Sequence, residues 1–278
     1  MESQEEKAEE FRALHHAKHI LVLPNCWDVP SARVFEEAGF PAVATSSAAL
    51  MASLGYPDGE IISKVELVSA VKKIAKSLSV PLSVDLVAGF GETAREVVVS
   101  VSSIIEAGAV GVNIEDFFHE TKTLRPMETQ AEKITAIKEL GQAIHIPIVI
   151  NARTDALRYA TGDMEAKLDE AIRRATVYRD AGADCVYPLG LTDPQSISKF
   201  VRALSFPVNV MVRPGLPPIS ELERLGVARV SLGPTASYAT MGLLKRIATE
   251  LLEKGTYENL LKGTITIEEL QKLALPKT

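Results

Sequence analysis

Ile104-Ile105-Glu106-Ala107-Gly108-Ala109-Val110-Gly111-Val112-Asn113-Ile114-Glu115-Asp116 is the stretch whose reading decides the fold. Before it, Ala94, Val97, Val98 and Val101 join Ile104 and Ile105 on one face of an amphipathic helix. The run stops at Gly108, a residue that takes the left-handed conformation closing a helix. A short β-branched run follows and ends in two acids. The same order recurs elsewhere. Glu37-Ala38-Gly39-Phe40 precedes Ala42-Val43-Ala44, Asp180-Ala181-Gly182-Ala183 precedes Cys185-Val186-Tyr187, and Arg224-Leu225-Gly226-Val227 precedes Arg229-Val230-Ser231.

Boundaries of a second type interleave with these: Ser79-Val80-Pro81, His145-Ile146-Pro147 and Ser205-Phe206-Pro207, each leading into an apolar run. Proline suits the first residue of a strand, where its missing N–H matters least. Strands therefore begin near 42, 81, 111, 147, 185, 207 and 229, and Ile20-Leu21-Val22-Leu23 makes an eighth. Strands alternating with helices imply an α/β fold with a parallel sheet, and eight such units imply a closed (β/α)8 TIM-type barrel. An open doubly wound sheet is the alternative. A helix over 5–16 precedes the first strand, and one long and two short helices over 236–254 and 257–274 follow the last. Residues 1–278 read as a single domain.

Composition excludes several classes. Apolar residues make up 46 % of the 278, enough for a large core. Thirty basic against 36 acidic residues, a net charge of −6, leave no basic surplus for nucleic acid. Two cysteines, Cys26 and Cys185, make neither a disulfide framework nor a cysteine-rich metal site. No apolar stretch reaches the roughly 18 residues of a membrane span, and Met1 to Glu10 is acidic, unlike a targeting peptide. The expectation is a cytoplasmic globular protein.

In such a barrel the site lies at the C-terminal ends of the strands. The polar residues there are Asn25, Trp27 and Asp28; Thr45, Ser46 and Ser47, then Tyr56 and Asp58; Asp85; Glu115 and Asp116; Asn151, Arg153 and Asp155; Tyr187; and Asn209 with Arg213. Asp58, Asp85, Glu115 and Asp116 place carboxylates around one mouth, and all-oxygen ligands favour Mg²⁺ or Mn²⁺. Alternatively, some of them cap helices or pair with basic side chains. Arg153, ending an apolar strand, suits a bidentate grip on a carboxylate or phosphate, or an ion pair with Asp155 or Glu115. Backbone N–H groups at Thr45-Ser46-Ser47 suit an enolate oxygen. His119 is a candidate acid or base, Cys26 a weaker candidate nucleophile, and His15, His16 and His19 read as a solvated connector.

The segments Leu23-Pro24-Asn25-Cys26-Trp27-Asp28, Ser46 to Asp58, Asp85 to Gly91, Ile114-Glu115-Asp116 and Asn151-Ala152-Arg153-Thr154-Asp155 together resemble the isocitrate lyase/phosphoenolpyruvate mutase superfamily, in its short phosphonomutase-like branch. The resemblance covers about residues 10–250. It implies a barrel whose last helix is exchanged between subunits of a homodimer or homotetramer. It also implies small 2-oxo or 2-hydroxy acid substrates, Mg²⁺, and C–C or C–P bond chemistry beside an enolate. By position Asp85 would hold the metal, with Asp58 and Glu115 acting through waters. Ser46, Ser47 and Ala48 would bind carboxylate and oxo oxygens, Arg153 would stabilise the enolate, and Trp27 would wall the pocket. Asn209 completes the substrate-binding set, and Ser46, Glu115, His119 and Arg153 form the candidate catalytic set.

The departures are specific. Val87 stands where the family has a second acid after Asp85. The loop Phe117-Phe118-His119-Glu120-Thr121-Lys122-Thr123-Leu124-Arg125 lacks the proton-donor cysteine of isocitrate and methylisocitrate lyases and the asparagine of mutases. The expectation is a Mg²⁺-dependent lyase, decarboxylase or hydrolase cleaving a C–C bond. The alternatives are C–P chemistry, or a catalytically weakened 2-oxo-acid binder.

Overall fold

The computed structural model describes residues 3–274. Eight parallel strands form the barrel: β1 Leu21–Leu23, continued by Asn25–Cys26; β2 Val43–Thr45; β3 Leu82–Asp85; β4 Gly111–Glu115; β5 Val149–Thr154; β6 Cys185–Pro188; β7 Asn209–Met211; and β8 Arg229–Ser231. Pro24, which has no N–H, divides β1. Its first half pairs with β8, its second with β2. β2 through β6 pair in sequence order, β7 pairs with β8, and a bridge from Val186 to Val208 closes the ring between β6 and β7. The closed barrel agrees with the sequence reading.

The stop signals work as local chemistry predicts. Gly108 takes φ 109° just past the helix Ala94–Glu106. Gly111 opens β4 for a different reason: a Cβ there would lie 2.8 Å from the Phe11 ring. That ring belongs to the helix Gln4–Leu14, which plugs the barrel floor with Ala8 and Phe11 against Leu21, Leu23, Ala42 and Val110. Burying Phe11 fully contributes about 2–3 kcal/mol.

The connector 15–19 is solvated only in part. His15 is buried, stacked edge-on against Phe11, with Nδ1 2.8 Å from the Phe11 carbonyl. Helix Gln4–Leu14 ends beneath the barrel, so the next residue lies under strand β8; His16 and His19 remain exposed.

After β8 the long helix Thr235–Lys254 runs out with only Ser237 and Glu250 buried among its twenty residues. The expected short helices follow as Glu258–Leu261 and Ile267–Ala274, and the latter packs on the helix Val29–Glu37. Among the described residues no helix is long and apolar enough to cross a membrane.

Candidate active site at the barrel mouth

A cavity of about 180 Å³ opens at the C-terminal ends of the strands. It is lined by Ser46, Ser47, Ala48, Asp58, Asp85, Arg153 and Asn209 among others, so seven expected site residues meet there. Such a volume suits a small acid rather than a nucleotide-sized cofactor.

The register explains the convergence. Asp85 pairs across with Asn113, Asn113 with Asn151, and Glu115 with Arg153. Side chains on neighbouring strands at paired positions share a face, so amides and carboxylates line up inside the barrel. The Asn151 amide donates to Asn113 Oδ1 (2.8 Å), and the Asn113 amide donates to Asp85 Oδ1 (2.9 Å). Asp85 Oδ2 accepts from the Ser47 N–H at 3.0 Å.

Ser47 also lies beside the second carboxylate, where its hydroxyl favours the charged form of Asp58. Burial and the neighbouring charge of Asp85 push the Asp58 carboxyl above its usual range. Asp85, held by the Ser47 N–H, and Asp58 beside it form an oxygen-rich, anionic corner of the cavity. Ser46 caps the helix Ser47–Ser53, its hydroxyl accepting from the Ala49 N–H at 3.4 Å. The Ala48 amide lies in that first turn, where N–H groups have no intrahelical acceptor.

Glu115 is buried and engaged at both oxygens. Arg153 Nη1 lies 2.6 Å from one, and His119 Nε2 lies 2.5 Å from the other. The bond to Glu115 lifts the His119 pKa above its ordinary value, against its partial burial. Burial pushes the Glu115 carboxyl above its usual range, although Arg153 and His119 pull against it. The Arg153 guanidinium on one oxygen and the His119 imidazole on the other both favour the charged carboxylate against that burial. Arg153 also grips Asp155 through Nε at 2.7 Å and Nη2 at 3.0 Å. Burial disfavours its charge, but Glu115 and Asp155 more than restore it. Both pairings considered from sequence are thus present at once.

Several expectations change. Asp116 does not face the mouth. It is fully buried on the outer side, accepting from Tyr178 OH, Thr154 Oγ1, the Asp155 N–H and Arg174. Successive strand residues point to opposite faces, so Glu115 and Asp116 cannot both line one cavity. Trp27 lies in a separate surface cleft with Ser53, Leu54 and Glu66 rather than on the cavity wall. Asp28 caps the helix Val29–Glu37, accepting from Ser31 N–H at 2.8 Å. Cys26 is buried in the core, where burial drives its thiol pKa far up, so it carries no nucleophile. His119 stands at the rim, in a larger cleft of about 810 Å³ shared with Asp58.

The expected metal set has Asp85 on the ion and Asp58 and Glu115 reaching it through waters. Among the described residues no three His, Cys, Asp or Glu side chains are placed to chelate one ion. Glu115 is taken by Arg153 and His119, which leaves Asp58 and Asp85. Two carboxylates still fit Mg²⁺, which keeps several waters and commonly takes only one or two protein carboxylates. Val87 adopts φ 53° with its side chain in the core. A β-branched residue is unusual in that conformation, and it leaves the corner without a third acid.

Sequence reading missed Asn113 and Arg158 as cavity residues. Asn113 was findable: it stands two positions before Glu115 in a strand and so shares its face. Arg158 comes from the helix Ala156–Tyr159 after β5, where no period marks it.

Comparison with known proteins gives concordant findings. The family model described as phosphoenolpyruvate phosphomutase matches residues 11–252. The 2-methylisocitrate lyase of Bacillus subtilis (strain 168) is 33% identical over 285 residues, covering 96% of this chain and 89% of that one. Among solved structures, a lyase/mutase-type protein of Burkholderia cenocepacia J2315 superposes with a TM-score of 0.89 at 34% identity, covering 97% of this chain and 95% of that one. A 2,3-dimethylmalate lyase superposes with a TM-score of 0.82 at 25% identity, covering 96% of this chain and 94% of that one.

Proposed function

Since this chain belongs to the isocitrate lyase/phosphoenolpyruvate mutase superfamily and is an enzyme of that type, we propose that it cleaves the C–C bond of a small 2-oxo or 2-hydroxy carboxylic acid through a pyruvate-like enolate. The observation that carries this reading is the chain Arg153–Glu115–His119 beside the cavity. It sets a fixed cation next to a group that holds a transferable proton, which enolate formation and its quenching require. His119 then fills the proton-donor role for which the sequence offers no loop cysteine.

Each residue has a task. Asp85 would hold Mg²⁺ or Mn²⁺, with Asp58 acting through waters; when bound, the ion supplies positive charge that draws electrons toward the substrate's 2-oxo oxygen. The Ala48 amide and the Ser46 cap present the helix N-terminus to a carboxylate. Arg153 stabilises developing negative charge, and Asn209 borders the substrate from β7. His119, which Glu115 keeps charged and which solvent reaches to reload, delivers the proton to the carbon left behind. The substrate fits the bare cavity only as a small acid. We further propose that the chain works as a homodimer or homotetramer that pairs through the helix Thr235–Lys254.

The test is proton and phosphorus NMR of the purified protein with oxaloacetate, isocitrate, methylisocitrate, dimethylmalate, 2-oxoglutarate and phosphonopyruvate, with and without Mg²⁺. One acid is expected to disappear in a metal-dependent way as a smaller 2-oxo acid appears. Asp85→Ala and Arg153→Ala are each expected to lower that turnover by about 10²-fold or more. Wild-type turnover in both variants, or turnover of the phosphonate alone, would overturn the reading.

A further inference from the structure

Beneath the mouth the barrel holds a cation without a counter-charge. Among the described residues four arginines lie under a tenth exposed: Arg33, Arg125, Arg174 and Arg229. The first three pair with Glu36, Glu92 and Asp116 respectively. Arg229 has no carboxylate partner among the described residues. Its Nη1 meets His15 Nε2 at 3.4 Å, and its Nε has no partner.

His15 does not neutralise it. Its Nδ1 faces the Phe11 carbonyl at 2.8 Å, so the proton sits there and the Nε2 lone pair faces the guanidinium. Burial and the Arg229 charge hold His15 in the uncharged form, its pKa pushed down to about 3.

A guanidinium buried without a carboxylate is costly, and such an exception asks for a ligand. Arg229 starts β8 in register with Asn209 and stands two residues before Ser231, roughly 7 Å deeper in the barrel. Ser83 Oγ, Asn151 Oδ1 and Asn209 Oδ1 are also buried without partners. All four side chains line the same cavity as Asp85, Arg153 and Ser47. The cavity therefore has a rim, where Arg153 is already matched by Glu115 and Asp155, and a floor, where Arg229 meets the neutral His15 and, at 6.0 Å, the Phe11 ring but no carboxylate among the described residues.

We propose that Arg229 is a carboxylate-binding residue at the cavity floor, which receives the second carboxylate of a dicarboxylic acid whose reacting end lies at Asp85 and Arg153. The Ser83 hydroxyl donates to the same carboxylate. Asn209 can turn its NH₂ toward it, because its present partner, the Ser231 hydroxyl at 3.1 Å, donates as readily as it accepts. The inference rests on reading the mouth as an acid-binding site and narrows that reading to diacids.

The test is isothermal titration of the Mg²⁺-loaded protein, in chloride-free buffer, with malonate and succinate against acetate and propionate. Wild type is expected to bind one of the diacids about tenfold or more tighter than the monoacids, the size of a charge-assisted hydrogen-bonded contact. Arg229→Met and Arg229→Gln should lose that preference while keeping the monoacid affinity, and Arg229→Lys should keep part of it. Removing a buried charge that has no carboxylate partner also removes its desolvation cost; a melting curve identifies which of the two neutral variants is folded and is used. An unchanged diacid preference in the folded neutral variant would overturn the role of Arg229. Monoacid binding without diacid preference in wild type would overturn it too and leave the mouth reading standing, whereas no acid binding would overturn both.

Discussion

Glu115 commits one oxygen to Arg153 and the other to His119, and that division sets the pH behaviour of the site. The pKa of His119 is raised by its bond to Glu115. A raised histidine pKa means that the proton is held at neutral pH, and activity needing the imidazolium falls as pH rises through that value. The same sign holds for stability. The pair's contribution is fully present below the unfolded value of about 6.5 and is lost as pH rises through the folded value. The imidazole is a third exposed, so solvent keeps that stability effect small. His119→Asn is expected to lower kcat about a hundredfold, the usual scale for a general acid. Glu115→Gln is expected to move the alkaline limb of kcat/KM to lower pH, because the partner that raises His119 is gone. A pH–rate profile of both variants checks this; an unmoved limb in Glu115→Gln would remove His119 from the proton-transfer step.

The segment Leu86 to Gly91 shows how one element is held, and what a sequence conceals about it. Val87 and Phe90 both have positive φ, and the Val87 carbonyl accepts from the Glu115 N–H at 2.8 Å. From the helix Met127–Ala143 below, the buried Lys133 donates to the carbonyls of Ala88 (3.3 Å) and Gly91 (2.8 Å). Burial, with Arg125 nearby, pushes the Lys133 pKa down to about 8. A lysine lowered in the fold is a penalty at neutral pH. Between about 8 and the unfolded value of about 10.4 the unfolded chain binds more protons, so stability rises with pH there. Urea denaturation is expected to show that rise in wild type and not in Lys133→Met, which should be about 1–3 kcal/mol less stable at pH 9 from the two carbonyls left without a donor. A rise of equal size in the variant would assign it to other groups. The glycine and proline punctuation of the strands was legible in the sequence because it acts within a few residues. Which of Glu115 and Asp116 faces inward was decided by alternation, which a list of strand-end polar residues ignores. Lys133, Arg229 and His15 were not legible, because each owes its burial to a partner far along the chain.

At the scale of the whole molecule the barrel is complete at its floor and left open at its last helix. Helix Gln4–Leu14 seals the bottom with Phe11, and Ile267–Ala274 returns to cover Val29–Glu37. The helix Thr235–Lys254 between them exposes Tyr238, Met241, Leu244, Leu251 and Leu252, the last at 88%. Met241, Leu244, Ala248 and Leu251 recur at helical spacing, so the apolar side chains form a continuous stripe. Gly255, at φ 63°, ends the helix, and Glu250 pins the turn by accepting from Thr256 Oγ1 at 2.7 Å and the Glu258 N–H at 2.8 Å. A capped, fixed helix with an uncovered apolar stripe is costly in water, and large apolar patches commonly mark interaction sites. With the pairing proposed above, the stripe lies against a second copy of the chain, and a closed symmetric assembly buries it twice. Sedimentation equilibrium is expected to give a dimer or tetramer for wild type. Leu244→Asp should shift it toward the monomer, because a carboxylate on that face would lose its hydration in the interface. Tyr238 and Pro234, at the start of this helix, also line the active cavity. Dissociation should therefore raise KM along with lowering the mass, while a surface change away from the stripe, such as Lys199→Ala, should alter neither. A monomeric wild type with full turnover would sink the pairing and leave the cavity chemistry untouched.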